Sequence, residues 1–306
     1  MVGEIRFIKV ASHTKTSMEV QKYLDRIGFQ GNIDITLACL TKLQRFHQLA
    51  VPFENLDVFT NRKKELRVEE LYRQIVEKGR GGWCHELNGL FSWLLRTLGF
   101  DVRIVSANYF DPDTGKFKGE FDHMTLIVRL AGQDYLTDVG FGNVNQPYDP
   151  IRMSEGALHL QAGGEYKLTR SGRHWILQHQ LRNVVGHHRP QMNIANLQDS
   201  WGTLFRYDLT PRELADFQER CDEYQTDKEH CMLAAVPVLI IKSDDGRVVN
   251  TLTARRFTSV KFIENTNVRT NKSNLSNEEY EDKLRNVFGI KLDQSLDIET
   301  IVLKED

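Results

Sequence analysis

Lys78-Gly79-Arg80-Gly81-Gly82-Trp83-Cys84-His85-Glu86-Leu87-Asn88-Gly89-Leu90-Phe91-Ser92-Trp93-Leu94-Leu95-Arg96-Thr97-Leu98-Gly99 is the stretch on which the fold turns. Its beginning is a glycine-rich turn. From Cys84 onward, Leu87, Leu90, Phe91, Leu94, Leu95 and Leu98 recur with the 3.6-residue period of a helix buried along a broad stripe, and Gly99 stops it. The turn therefore places a cysteine in the first turn of a buried helix. Unpaired backbone N–H groups and the positive end of the helix dipole favour S⁻ over SH there, and the same groups can hold an oxyanion formed by attack on a carbonyl.

Upstream the pattern stays helical. Behind a cap at Ser17, Val20, Tyr23, Leu24 and Ile27 mark one buried face, with Gly28 as a stop. Thr36 opens a second run through Leu37, Leu40, Leu43 and Phe46 to Pro52, and Leu71, Tyr72, Ile75 and Val76 form a third that ends at Gly79. Downstream the period changes to two. Residues 102–109, 123–130 and 135–141 read as strands, followed by a hairpin (167–169 and 174–180) and a strand at 201–209. The last third reads as a helix at 211–221, an apolar strand within 232–241, the turn Asp244-Asp245-Gly246, a strand at 248–253 and a closing helix at 278–288, with Asn/Thr-rich residues 265–277 as an exposed loop. The expectation is an α+β protein in three parts: a helical bundle at 1–100, a sheet or barrel at 101–210 and an α/β lobe at 211–306.

Composition narrows the function. With 306 residues, the chain carries 40 Lys and Arg against 42 Asp and Glu, a net charge of −2, so no bulk field attracts nucleic acid or an anionic membrane. The longest apolar stretch, 232–241, falls well short of the roughly 18 residues of a membrane span. Residues 1–15 lack the features of a secretory signal, and Cys39, Cys84, Cys221 and Cys231 are too sparse for a disulfide framework or a zinc knuckle. A cytoplasmic protein without a metal is expected. Phosphate-cradling glycine motifs are missing as well.

A lone cysteine is more often a small buried hydrophobe than a nucleophile, and Cys39, Cys221 and Cys231 read that way. Cys84 differs by its glycine turn and helix start, and a base is available. If Ala131-Gly132 is a two-residue hairpin loop, Leu130 pairs with Gln133, Asp138 lies opposite Thr125, and Asp138 and His123 become diagonal neighbours on one face. A one-residue slip would separate them. Cys84, His123 and Asp138 then supply nucleophile, base and orienter for acyl transfer through a thioester. Glu54 and Arg80, charged residues beside this site, are expected to pair and fix the turn before Cys84.

Three segments, Arg80-Gly81-Gly82-Trp83-Cys84-His85-Glu86-Leu87-Asn88, Asp122-His123-Met124 and Thr137-Asp138-Val139-Gly140-Phe141-Gly142, resemble the arylamine N-acetyltransferase family in order and spacing. So do Tyr23-Leu24-Asp25-Arg26-Ile27-Gly28, Val51-Pro52-Phe53-Glu54-Asn55-Leu56-Asp57 and Asn286-Val287-Phe288-Gly289-Ile290, so that the resemblance spans residues 18–292. Glu229-His230-Cys231-Met232 departs from the Ser-rich stretch expected there, and residues 296–306 have no counterpart. The resemblance implies a helical bundle, a central β-barrel and a C-terminal α/β lid around a papain-like thiol-enzyme core. It also implies acetyl-CoA as donor, aromatic amines, hydrazines or hydroxylamines as acceptors, and an acceptor pocket lined by Phe53 and Phe141. No motif marks the coenzyme A contacts. The same triad would also serve a thiol hydrolase or a transglutaminase-like acyl transferase, and a catalytically silent coenzyme A-binding module would keep Cys84 as a structural residue.

Overall fold

The computed structural model describes residues 18–181, 183–185, 200–227, 231–263 and 266–291, and residue 301. The expected cap at Ser17, residues 1–15, Glu229-His230 and, Ile301 apart, the 296–306 tail lie outside these residues.

The bundle forms where the period of 3.6 places it. Helices run over Val20–Arg26, Leu37–Ala50, Val68–Tyr72 (continued by a π turn at Arg73–Glu77) and Cys84–Thr97. The Thr36 side chain accepts the Cys39 N–H at 3.2 Å, so the second helix is capped as expected. On the Cys84 helix, Leu87, Leu90, Phe91, Leu94 and Leu95 are fully buried. Each contributes about 1.5–3 kcal/mol of transfer free energy, which outweighs the cost of seating a polar first turn in the interior.

Next comes an antiparallel sheet whose path runs Ile151–Arg152, Gln133–Thr137, His123–Leu130, Asp101–Asp111, Trp201–Arg212, His174–Gln180, Gly164–Ser171 and Leu158–Gln161. Its ends approach each other: Glu155 bridges Leu168, and the Gly156 N–H donates to the Leu168 carbonyl at 2.8 Å, so the sheet curls into a nearly closed barrel. Ala131 and Gly132 both have positive φ, 47° and 80°, the conformation of a two-residue hairpin turn. The resulting register pairs Leu130 with Gln133 and Leu126 with Thr137, as the sequence requires. The strand His123–Leu130 is buried on both faces. Met124, Leu126, Val128 and Leu130 join the bundle core, and Ile127 joins the barrel core with Val105, Leu136, Phe141 and Phe205.

The C-terminal region departs most from expectation. The Trp201–Arg212 strand runs two residues past the expected limit, its register shifting between Tyr207 and Pro211; residues read as the start of a helix continue the sheet, and the helix proper is Gln218–Thr226. Within 232–241 a short helix, Met232–Ala235, precedes a strand at Val238–Ser243. Part of the expected loop at 265–277 is the strand Thr266–Lys272: backbone pairing along Phe257–Ile263, not apolar composition, makes it one. The second sheet orders Phe53–Glu54, Val238–Ser243, Val248–Thr253, Arg256–Ile263, Thr266–Lys272 and Asn183–Val185. It therefore recruits one strand from the bundle and one from the middle of the chain, and the three parts are stitched together by sheet hydrogen bonds.

Candidate active site

The nucleophile turn is held from below. Arg26 donates to the carbonyls of Ile75 (3.0 Å), Ala50 (2.8 Å) and Gly79 (3.1 Å), and Gln74 Nε2 donates to the Gly81 carbonyl at 2.6 Å. Glycine is required at 81 because a Cβ there would lie 2.0 Å from the Pro52 carbonyl oxygen. Glu54 and Arg80 pair as expected: Nε and Nη2 of Arg80 donate to Glu54 Oε1 at 2.9 and 2.7 Å, both residues being buried. The sequence reading missed the rest of this cluster. Asp57 lies 3.2 Å from Arg80, Lys64 pairs with Asp57 and stands 3.7 Å from Glu86, and the Trp83 N–H donates to Glu86 at 3.1 Å. Burial pushes the Glu86 carboxyl up to about 7 despite Lys64.

Cys84, His123 and Asp138 come together above this base. His123 Nε2 and Asp138 Oδ2 are 2.6 Å apart, with His123 3% and Asp138 2% exposed. Asp138 is itself fixed: its other oxygen accepts from Asn88 Nδ2 and the Gly140 N–H, both at 2.9 Å. Asn88, one turn along the nucleophile helix, also donates to the Met124 carbonyl at 2.7 Å and accepts the Val139 N–H at 2.9 Å. One side chain thus ties the helix to both strands of the hairpin. Gln48 and Gln146 donate to the Asp138 carbonyl at 3.3 and 3.2 Å. Neither glutamine carries a sequence signal, because a buried amide satisfying distant carbonyls has no local pattern. At Gly140 a Cβ would lie 3.0 Å from the Cα of Cys84, so the strand end and the helix start touch through backbone.

A cavity of about 260 Å³ opens over the sulfur. Cys84 and His123 share its wall with Phe53, Phe141, Tyr109 and Tyr224, so both expected pocket phenylalanines line it. The His123 ring packs edgewise on Phe141 and tilted on Phe205, each at a centroid distance of 5.2 Å. Burial, followed by the charges of Asp122 and Asp138, pushes the Cys84 thiol well above its ordinary value, while backbone N–H groups of Met124 and His85 pull the other way. The expected thiolate is therefore not secured by the helix start alone. A buried thiolate requires a compensating positive group beside it, and His123 lines the same cavity. The other cysteines are buried too, and Cys231 lines the same cavity.

A larger cleft, about 780 Å³, lies on the opposite side of the turn and is lined by the Asp57, Lys64, Arg80 and Glu86 cluster. Among the described residues its lining holds no cysteine, serine or histidine. Among the described residues no group of three His, Cys, Asp or Glu side chains is placed to hold a metal, and no helix is long and apolar enough to cross a membrane.

An N-acetyltransferase family model matches residues 36–297. The chain is 30% identical to arylamine N-acetyltransferase 2 of Mus musculus and 30% identical to arylamine N-acetyltransferase 1 of Homo sapiens, each over 284 residues, covering 91% of this chain and 96% of the relative. The fold is similar to that of the Mycobacterium marinum arylamine N-acetyltransferase in complex with CoA, with a TM-score of 0.79 and 25% identity, over 94% of this chain and 98% of that one.

Proposed function

The chain belongs to the arylamine N-acetyltransferase family, and from that premise we propose that it transfers acetyl from acetyl-CoA to aromatic amines by a two-step exchange through Cys84. The observation that carries the mechanism is that His123, which shares the wall of the cavity with Cys84, is bonded to an Asp138 anchored by Asn88 and the Gly140 N–H. Since Nε2 is committed to Asp138, Nδ1 of His123 takes the Cys84 proton. The sulfur attacks the acetyl carbonyl, and backbone N–H groups at the helix start receive the developing oxyanion. The coenzyme A sulfur leaves with the proton returned by His123. The acceptor nitrogen then attacks the thioester and gives its proton to His123, and Cys84 departs as the leaving group. An aryl amine or aryl hydrazine suits this step because it is uncharged at neutral pH and keeps its lone pair, whereas an alkylammonium would first have to lose a proton. Phe53 and Phe141 give the ring its apolar walls.

In this reading residues 1–100 carry the nucleophile, 101–210 carry the base and its orienter, and 211–306 form the lid. Four unbridged cysteines support a reducing, cytoplasmic setting, and a net charge of −2 supports small-molecule partners over nucleic acid or membrane. The test is intact-mass measurement after incubation with acetyl-CoA. One acetyl adduct, mapped to Cys84, missing in Cys84→Ala and discharged by an added arylamine, is expected. No adduct on folded protein would overturn the mechanism in favour of a binding module, and an adduct discharged by water alone would favour a hydrolase.

A further inference from the structure

Beside the triad stands a second polar pair that the mechanism does not use. Asp122 immediately precedes His123, and its backbone carbonyl accepts the Cys84 S–H with a 3.9 Å separation. One carboxylate oxygen accepts the Tyr109 N–H at 3.3 Å, and the other accepts the Tyr224 hydroxyl. Tyr224 comes from the helix Gln218–Thr226, more than a hundred residues away in sequence. Its ring packs edgewise against Trp83, the residue before the nucleophile, at 6.2 Å, and the Arg220 guanidinium sits 4.9 Å above it. Tyr224 also lines the catalytic cavity.

We propose that Asp122 and Tyr224 form a positioning pair: Tyr224 holds and partly neutralises the Asp122 carboxylate, so that Asp122 presents its carbonyl to the Cys84 thiol while its charge opposes ionisation less than a free carboxylate would. This rests on Cys84 being the nucleophile. The electrostatics give the pair a direction. Asp122 is the charge that most strongly holds Cys84 in its protonated form, with Asp138 next. Burial and then the Asp122 charge push the Tyr224 phenol up, so it stays a donor across the working pH range. Of the remaining groups, His123 and Lys118 line the same cavity as Cys84, and burial keeps His85 neutral by pushing it down to about 3. None of these binds the Asp122 carboxylate among the described residues.

Opposite substitutions should therefore move the ionisation of Cys84 in opposite directions. The rate of Cys84 alkylation by iodoacetamide, followed against pH by peptide mapping, reads it directly. Tyr224→Phe should displace the midpoint upward by about half to one pH unit, which is about three- to tenfold slower labelling below the midpoint. Asp122→Asn should displace it downward, and adding Tyr224→Phe to Asp122→Asn should produce no further upward shift. A purely structural role would slow labelling in both variants without opposite shifts. Profiles that superimpose on the wild type, or that shift the same way, overturn the proposal provided circular dichroism shows both variants folded. The acetyl-CoA adduct on wild-type Cys84 is the control: its absence would sink the nucleophile assignment itself, whereas its presence with unshifted profiles sinks only the pair.

Discussion

The two sides of the nucleophile turn differ in how they handle charge. Below it, Glu54, Asp57, Glu86, Arg80 and Lys64 form a buried set in which each ion faces an opposite one, beside a cleft of about 780 Å³. Above it, in about 260 Å³, an aromatic wall surrounds the Cys84 thiol and the His123 imidazole, the proposed nucleophile and base. Compensated ions rigidify and leave nothing to react. The proposed chemistry sits in the smaller, aromatic-walled cavity and not in the larger charged cleft, so cavity size is a poor guide to the proposed site. The lower set fixes the turn, and the upper one uses the position it is given.

If that division holds, substitutions above should cost rate and substitutions below should cost stability. The largest effect is expected from Asp138→Asn. It preserves the shape but removes the charge that stabilises an imidazolium, so turnover should fall about 10³–10⁴-fold with little change in melting temperature. Near-normal turnover in the folded variant would show that Asp138 does not orient His123. Arg80→Met should instead destabilise by about 3–5 kcal/mol, measured by urea unfolding, because it strands Glu54 as a buried anion and removes one of the cations facing Asp57, which keeps Lys64. Paired with Glu54→Gln in a double-mutant cycle, it should show coupling above about 1 kcal/mol. A collapse of kcat with unchanged stability would break the comparison. Gly140→Ala joins the two regimes, since its Cβ meets the Cys84 backbone at 3.0 Å. It should cost about 1–3 kcal/mol in stability and, by displacing the sulfur, lower kcat more than KM rises.

A smaller effect concerns acid. Burial pushes His47 and His85 down to about 3, from an ordinary 6.5. Between those values the unfolded chain binds protons that the folded one refuses, so their contribution is full above pH 6.5 and is lost as pH falls toward 3. Each adds a slope of about 1.4 kcal/mol per pH unit in that range. Glu86, raised to about 7, opposes them, since its folded form keeps a proton that the unfolded form releases above 4.5. The difference between His47→Gln and wild type cancels Glu86 and should show the slope reduced by one histidine's share. Parallel stability curves would mean that His47 is charged in the fold.

Sequence periodicity was sufficient wherever an element is decided locally. The Ala131-Gly132 turn set the hairpin register that joins His123 to Asp138, and the leucine stripe set the Cys84 helix. It failed where partners are remote. Nothing in Phe53-Glu54 announces pairing with Ile240 and Leu239, and a half-exposed strand such as Thr266–Lys272 has the composition of a loop. In the site, the proposed trio was legible because chemistry restricts residue types. Asn88, Gln48 and Tyr224 were not, because many side chains can satisfy a carbonyl or a carboxylate and only the fold selects one.

Phe53 and Glu54 are neighbours on one short strand, and alternation sends their side chains to opposite faces. The first forms a wall of the cavity over Cys84, and the second belongs to the ion cluster. The partition between the two is therefore a single residue thick, and its alignment is dictated by Leu239 and Ile240. Slipping that pairing by one position would point a carboxylate at the thioester and push a benzyl group among the ions. The shape of the proposed acceptor pocket is thus inherited in part from the C-terminal third of the chain, and exchanging that third between relatives should transplant acceptor preference even though the proposed trio lies elsewhere.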